Sequence, residues 1–289
     1  MWDVDVAHRS YEHPQPRGGP GDALIEFEVE QRDSADVYWG LPVVAETWDG
    51  LLNDCNGFHV RPEHLYAAIA DAGTGPVTEG NVGSGTGMVC HGFKGGIGTA
   101  SRVIDDGFGA TYTLGVLVQA NHGARRRFAV NGAPVGLAVD HVTVPCPASP
   151  ESALGSEGAG SVIVVVATDA PLLPHQCQRL AQRAGLGVAR TGGAGEHASG
   201  DLFLAFATGN RLVARDYGSR PPPVRSLRMM SEAFIDPFFY AAVEATEEAI
   251  VNALVAAETM TGRDEVTAYA LPHDLLVNAL DKHGLRSPG

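Results

Sequence analysis

The pair Gly160-Ser161 is the part of the sequence whose residue types most directly predict covalent chemistry. Ser161 opens the apolar run 162–166, and a preceding glycine permits the backbone distortion by which a hydroxyl attacks its own carbonyl. Hydrolysis of the resulting ester would expose Ser161 as a new N-terminus. Its α-amino group, with an ordinary pKa of about 7.7 to 8.0, would then act as base for its own hydroxyl. A simple junction between loop and strand explains the same pair without chemistry.

The segment 80–102 is the most glycine-dense part of the chain and the second candidate for a ligand site. Such glycines allow the backbone to approach another group closely. A dinucleotide fingerprint requires G-x-G-x-x-G between a strand and a helix, whereas a strand-like run follows here, and the Walker pattern G-K-[ST] does not occur. Tight turns that line a pocket are therefore expected, and a nucleotide-binding module is the lowest-ranked alternative.

Histidine and cysteine spacing does not predict a metal site. The 11 histidines form neither H-E-x-x-H nor H-x-H, and the 4 cysteines include no C-x-x-C pair. We expect no metal and no cofactor, with reduced thiols at Cys55, Cys90, Cys146 and Cys177.

Several predicted elements would position Ser161. Three segments are short, rich in Val, Leu or Phe and bounded by turn residues, as strands are. They are Thr111–Gln119, Val162–Ala167 and Leu202–Ala207. The run 162–166 does not alternate, which predicts a strand buried on both faces. Apolar spacing, caps and first-turn prolines predict four helices. They cover Pro62–Ile69, a segment from an Asp169 N-cap to about Gly185, Asp236–Thr261 and Pro272–Lys282. The mixture predicts an α/β fold.

Composition and charge limit the class of protein. Hydrophobic residues make up 44% of the chain, enough for a sizeable core, and the formal charge of -14 repels nucleic-acid backbones and anionic membranes. The sequence has neither a run of about 18 apolar residues nor a signal-peptide pattern, which predicts a cytoplasmic protein. Residues 1–40, which lack periodic apolar spacing, are expected to form an irregular leader, and residues 41–289 a single domain.

Five segments, in order along the chain, resemble the L-aminopeptidase/D-alanine-esterase family, which includes DmpA and the β-aminopeptidases. They are Pro42–Gly50, Gly92–Thr99, Val116–Asn121, Gly160–Pro171 and Ser199–Asp201. The resemblance implies an αββα four-layer sandwich, self-cleavage between Gly160 and Ser161, and two chains that assemble into homo-oligomers. Family members carry a further region before the stretch matched at residue 41, so the resemblance also implies an N-terminally truncated sheet.

The resemblance further implies roles for individual residues. Ser161 would be nucleophile and general base, and the Asn121 amide would stabilise the oxyanion with Trp48 as its neighbour. Ser199 and Asp201 would hold the nucleophile and its amine, because their alternate spacing would place both side chains on one strand face. Outside the family, Trp48 is explained as a packing aromatic, Asn121 as a turn residue at a strand end, and Ser199 to Asp201 as a turn entering a strand.

Substrate recognition is implied at Glu46, which would receive the free amino group of the substrate, with Lys94 in support. A solvated pair is the alternative for these two residues. The expected substrates are small peptides, amides or esters with a free amine; neither nucleic acid nor membrane is an expected partner. The functional alternatives are an uncut remnant that binds amines or peptides without exposing Ser161, and a related acyltransferase or pantetheine hydrolase.

Overall fold

A computed structural model describes residues 20–31, 40–145, 160–211 and 224–285. The described residues contain six α-helices and eight β-strands. The helices are α1 (Pro20–Glu30), α2 (Pro62–Ala70), α3 (Val135–Ala138), α4 (Pro174–Arg190), α5 (Asp236–Ala256) and α6 (His273–Lys282). The strands are β1 (Val89–Cys90), β2 (Phe93–Lys94), β3 (Gly96–Asp105), β4 (Thr111–Asn121), β5 (Ser161–Thr168), β6 (Leu202–Ala207), β7 (Met260–Thr261) and β8 (Thr267–Ala268). No helix among the described residues has the length and apolar character needed to cross a membrane.

The chain forms two compact units. In the first, made by described residues up to Ala45 together with Asn56–Pro76, helices α1 and α2 pack against each other, and the rings of Phe27 and Tyr66 lie 6.3 Å apart. The second unit comprises Glu46–Cys55 and the chain from Val77 onward. All eight strands of the described residues lie in it.

A four-stranded sheet in the order β3-β4-β5-β6 is the centre of the second unit. Strands β3, β4 and β5 are antiparallel neighbours, and β6 runs parallel to β5. Helix α5 packs on β3 and β4, while α4 packs on β5 and β6 and against α5. Gly187 permits this last contact, because a Cβ there would lie 2.6 Å from the Thr246 Cβ. The α/β fold class and the three predicted strands are confirmed.

Strand β5 differs from the prediction of burial on both faces. Val162, Val164 and Val166 are fully buried, whereas the alternate residues Ile163 and Val165 are only partly buried. The first set faces the helical layer of α4 and α5, which covers one face of the sheet. The uninterrupted apolar run of β5 therefore does not imply burial on both faces of the strand, since only one face is fully covered by the described residues.

Two helix boundaries also differ from prediction. Helix α4 begins at Pro174 rather than near Asp169, because the Asp169 carboxylate accepts the Thr113 amide at 2.8 Å and so belongs to the sheet edge. It continues through Gly185 to Arg190. Helix α5 ends at Ala256, before the short strand β7.

Helix α1 lies within the stretch expected to be an irregular leader. The proline- and glycine-rich composition ends at Gly21, and Pro20 and Asp22 occupy the first turn, where proline and an acidic residue favour a helix start. Residues 1–19 and 32–39 of the expected leader, and Cys146, lie outside the described residues.

The glycine-rich segment forms tight turns and the start of β3, where backbones meet at close range. Gly80 has a φ of +80°, and Gly80 and Ile97 form a backbone bridge. A Cβ at Gly85 would lie 2.7 Å from the Ile97 amide, and one at Gly98 would overlap the Ala249 carbonyl of α5. These glycines therefore serve backbone packing within the protein.

Candidate active site

Ser161 is the first residue of β5 and pairs across the ladder with Asn121, the last residue of β4. Directly opposite residues on neighbouring strands place their side chains on the same face. Gly160, just before the strand, is in a confined position: a Cβ there would overlap the Asn121 carbonyl oxygen and lie 2.9 Å from the His122 Cα. The local packing thus requires glycine before the serine, which sequence composition alone left open.

The segment Ser199-Gly200-Asp201 lies against this pair. The Gly200 amide donates to the Gly160 carbonyl oxygen at 3.0 Å, and a Cβ built on Gly200 would lie 3.2 Å from the Ser161 Oγ. Ser199 donates its hydroxyl proton to Asp201 at 2.7 Å. The prediction of a shared strand face is wrong, because both residues precede β6, but their side chains do contact each other.

The Asn121 side chain is buried and held at both ends. Its Oδ1 accepts the Val89 amide at 2.8 Å, and its Nδ2 donates to the Trp48 carbonyl oxygen at 2.8 Å. An amide nitrogen carries two protons, so one remains for an oxyanion. Trp48 is thus a neighbour of Asn121 through its backbone. Its half-exposed indole packs over Gly50, where a Cβ would lie 2.7 Å from the indole Nε1.

A buried polar network sets the register between the Trp48 segment and β4. Gln119 Nε2 donates to the Thr47 hydroxyl at 2.6 Å, and this hydroxyl lies 2.7 Å from the Met88 sulfur. Gln119 and Asn121 are two residues apart and therefore point to the same face of β4. The neighbours Thr47 and Trp48 thus accept hydrogen bonds from Gln119 and Asn121, respectively.

Glu46 and Lys94 have different environments, so they do not form a solvated pair. Glu46 is exposed, whereas Lys94 is fully buried and donates to the carbonyl oxygens of Gly85, Met88 and Gly95 at 2.9, 3.0 and 2.7 Å. Burial lowers the pKa of Lys94 to about 8. These bonds use all three donors of the ammonium, which leaves none for a substrate. Lys94 is placed to hold the glycine-rich turns together.

Three further side chains, Cys90, His91 and His122, form a buried cluster beside Asn121, here named the Cys-His cluster. Burial lowers the pKa of His91 to about 3 and of His122 to about 4, and it raises that of Cys90 to about 12, opposed by a hydrogen bond from the His122 backbone and the charge of Lys94. All three groups are therefore neutral at pH 7.

Sequence reasoning missed Gly200 and the Cys-His cluster. Gly200 acts through its backbone amide, which no residue-type pattern reports, although its position between Ser199 and Asp201 could have suggested it. Cys90 and His91 reach His122 only because β1 lies beside β4, where the His91 amide donates to the His122 carbonyl at 2.7 Å.

Comparison with known proteins adds independent information. The family model described as peptidase family S58 matches residues 18–268. The beta-peptidyl aminopeptidase BapA of Sphingosinicella microcystinivorans is 51% identical over 250 residues, which are 85% of this chain and 62% of the relative. The protein of the same name from Sphingosinicella xenopeptidilytica is 43% identical over 244 residues, 83% of this chain and 60% of the relative. The chain thus spans about three fifths of the length of these relatives.

Solved structures of two aminopeptidases share the fold of this chain. A Burkholderia sp. beta-aminopeptidase superposes with a TM-score of 0.83 at 50% identity, covering 92% of this chain and 71% of that one. The L-aminopeptidase D-Ala-esterase/amidase of Ochrobactrum anthropi, described as a variant of the Ntn hydrolase fold, gives a TM-score of 0.81 at 42% identity and the same coverage. The predicted resemblance and fold class are confirmed. Because the family model matches most of its length, the chain belongs to peptidase family S58.

Proposed function

We propose that the protein is an aminopeptidase that hydrolyses small amine-terminated peptides, amides or esters through an acyl-enzyme on Ser161, after cleaving its own Gly160–Ser161 bond. The main support for this proposal is the 3.0 Å hydrogen bond from the Gly200 amide to the Gly160 carbonyl oxygen. It supplies a donor at the oxygen that becomes negative when the neighbouring hydroxyl attacks. The names of the relatives support the same class of reaction.

In the cleavage step, the Ser161 Oγ attacks the Gly160 carbonyl carbon, and the Gly200 amide stabilises the resulting oxyanion. The hydroxyl proton passes to the Ser161 nitrogen as the C–N bond breaks, so collapse transfers the acyl group to Oγ and leaves a free amine. Water then hydrolyses the ester, releasing the Gly160 carboxylate and restoring the hydroxyl. The overall change is addition of one water across the peptide bond.

Cleavage need not separate the two fragments. Strand β4 belongs to the fragment 1–160 and β5 to 161–289, and they pair from Leu114↔Thr168 to Asn121↔Ser161. The shared sheet and the apolar layer beneath it hold the fragments together. We expect processed pairs of this kind to be the unit that assembles into a homo-oligomer.

In turnover, the free Ser161 amine takes the hydroxyl proton as Oγ attacks the acyl carbon of the substrate. The second Asn121 Nδ2 proton stabilises the tetrahedral oxyanion. Because Ser199 donates its hydroxyl hydrogen to Asp201, its oxygen is left to accept a hydrogen bond from the Ser161 amine. The amine then protonates the leaving group, and water hydrolyses the acyl-enzyme in a second round of the same steps.

Specificity for a free amino group is assigned to Glu46. It is an exposed carboxylate two residues before Trp48, whose carbonyl contacts Asn121. A carboxylate attracts an ammonium group and has no such attraction for an acylated nitrogen.

The activity is tested by incubating wild type and Ser161→Ala with amides of α- and β-amino acids whose amine is either free or acetylated. Release of product from free-amine substrates by wild type alone is the expected result. Hydrolysis that survives in Ser161→Ala, or equal rates on acetylated substrates, would contradict the proposal.

A further inference from the structure

The Cys-His cluster combines three metal-ligating atoms in a space from which water is excluded. Cys90 and His91 are fully buried, and His122 is 4% exposed. One candidate ligand atom from each residue lies within 4.8 Å of the other two, and the Cys90 Sγ is 3.9 Å from the His122 Nδ1. A modest contraction of these distances would bring all three atoms into the first coordination sphere of one ion.

The hydrogen bond of the His91 ring leaves a lone pair free on its other nitrogen. Its Nδ1 lies 3.2 Å from the Ala124 carbonyl oxygen, which can only accept, so Nδ1 carries the proton and Nε2 is bare. A histidine that donates its other nitrogen to a backbone carbonyl is typical of metal ligands. The Nε2 atoms of both His91 and His122 are buried without a hydrogen-bond partner.

The backbone is shaped to bring these side chains together. Successive side chains of a strand point to opposite faces, but His91 has a φ of +48°, so the chain bends directly after Cys90. Gly123 and Gly193 make room for the rings: a Cβ at Gly123 would overlap the His91 ring, and one at Gly193 would lie 3.1 Å from the His122 Cδ2.

We propose that Cys90, His91 and His122 form a three-ligand site for a thiophilic metal ion, with Cu⁺ as the ion that fits best. Thiolate and imidazole are the donors that select copper and zinc, and two histidines with one cysteine are a recognised trigonal set for copper. Structural zinc sites almost always use four protein ligands, and the cluster offers three.

Charge favours the monovalent ion as well. Binding replaces the Cys90 thiol proton by the metal and releases that proton to solvent, with no change of oxidation state. A Cu⁺–thiolate pair is neutral, whereas Zn²⁺ would leave one uncompensated positive charge in a buried space. Cationic Lys94 and Arg125 act electrostatically on Cys90 and His91, and they oppose such a charge.

The ion would join the end of β1 to the end of β4. Asn121 directly precedes His122 and accepts the amide of Val89, the residue before Cys90. Metal binding at the Cys-His cluster would therefore fasten both strands that hold the Asn121 side chain. The site does not depend on the chemistry of Ser161.

The test uses Cu⁺ under anaerobic, reducing conditions in competition with a chromophoric Cu⁺ chelator, followed by metal analysis and X-ray absorption of the copper. Wild type and Ser161→Ala are expected to retain one equivalent of copper with one sulfur and two imidazole neighbours. Cys90→Ser is expected to lose it, whereas Cys177→Ser, a change at another buried thiol, retains it.

The X-ray absorption spectrum of copper-loaded wild type identifies the ligands without any variant. The test therefore stays decisive even if Cys90→Ser folds poorly. Copper lost to the chelator, or copper surrounded by sulfur atoms alone, would overturn the site. Retention of Zn²⁺ in preference to Cu⁺ would overturn the choice of ion.

Discussion

The Gly200 amide lies 3.0 Å from the Gly160 carbonyl oxygen, so the bond proposed for cleavage already has a hydrogen-bond donor at its oxygen. The same turn carries Ser199 and Asp201, whose side chains are bonded to each other. One short segment before β6 would thereby serve both the proposed cleavage and the amine that this cleavage would release.

Substitution of Gly160 by alanine should block maturation. The added Cβ would overlap the Asn121 carbonyl oxygen, so the segment before Ser161 must shift and the alignment with Gly200 is lost. We expect uncut protein on a denaturing gel, with a free energy of unfolding lower by about 1–3 kcal/mol, as for other overpacked sites. Gly115→Ala is the matched control, because a Cβ at Gly115 meets nothing within 4 Å. Full processing of Gly160→Ala would show that this packing does not matter.

Asn121→Ala should lower kcat by about 10²–10³-fold, the loss typical of an oxyanion donor, with a smaller change in KM. The comparison is made on processed protein, with circular dichroism to confirm the fold, because Asn121 also accepts the Val89 amide. Asn210→Ala provides the control: Asn210 bonds the Arg228 backbone beyond the opposite end of β6. Equal kcat values for Asn121→Ala and wild type would remove Asn121 from the oxyanion site.

Glu46→Gln should raise KM for free-amine substrates by about 10-fold or more, since a hydrogen bond to a charged group is worth about 1.5–3 kcal/mol. The rate of self-cleavage should not change, because that step involves no substrate amine. Glu258→Gln, at another exposed carboxylate, is the control. An unchanged KM would mean that another group receives the amine.

Lys94→Met should destabilise the protein by about 1–3 kcal/mol at pH 7, because three buried carbonyl oxygens lose their donor. Lys282→Met, at an exposed lysine, should leave the free energy of unfolding unchanged.

The stability difference between wild type and Lys94→Met should also grow as pH rises from about 8 towards 10.5. In that window the unfolded chain binds the proton that the folded chain has released, so only wild type gains stability from Lys94. Chemical denaturation at several pH values measures both effects, and a difference that shrinks with pH would contradict the burial of Lys94.

Local sequence patterns predicted the positions of the strands better than they predicted the burial and contacts of individual residues. The apolar runs located β4, β5 and β6 within two residues, since each is a short segment bounded by turns. The same pattern could not tell that Ile163 and Val165 face a less covered side of the sheet, because burial depends on distant helices. Lys94 was predicted at the substrate for a similar reason: nothing in its neighbourhood along the chain shows that three carbonyl oxygens converge on it.

The site was predictable where it lies on contiguous motifs and not where it depends on strand pairing. The family resemblance selected Ser161, Asn121, Ser199 and Asp201, and the structure brings their segments together, while their catalytic roles stay predictions. The Cys-His cluster was not predicted, because metal motifs are recognised by close spacing, and three complete strands, β2, β3 and β4, lie between His91 and His122 in the sequence.

Self-cleavage before Ser161 is measured by the intact mass of freshly purified wild type beside Ser161→Ala. Self-cleavage predicts two chains, residues 1–160 and 161–289, in wild type and a single chain in Ser161→Ala, with both proteins folded. A folded wild type that stays uncut, or a Ser161→Ala protein cut at the same bond, would show that Ser161 does not cleave the chain.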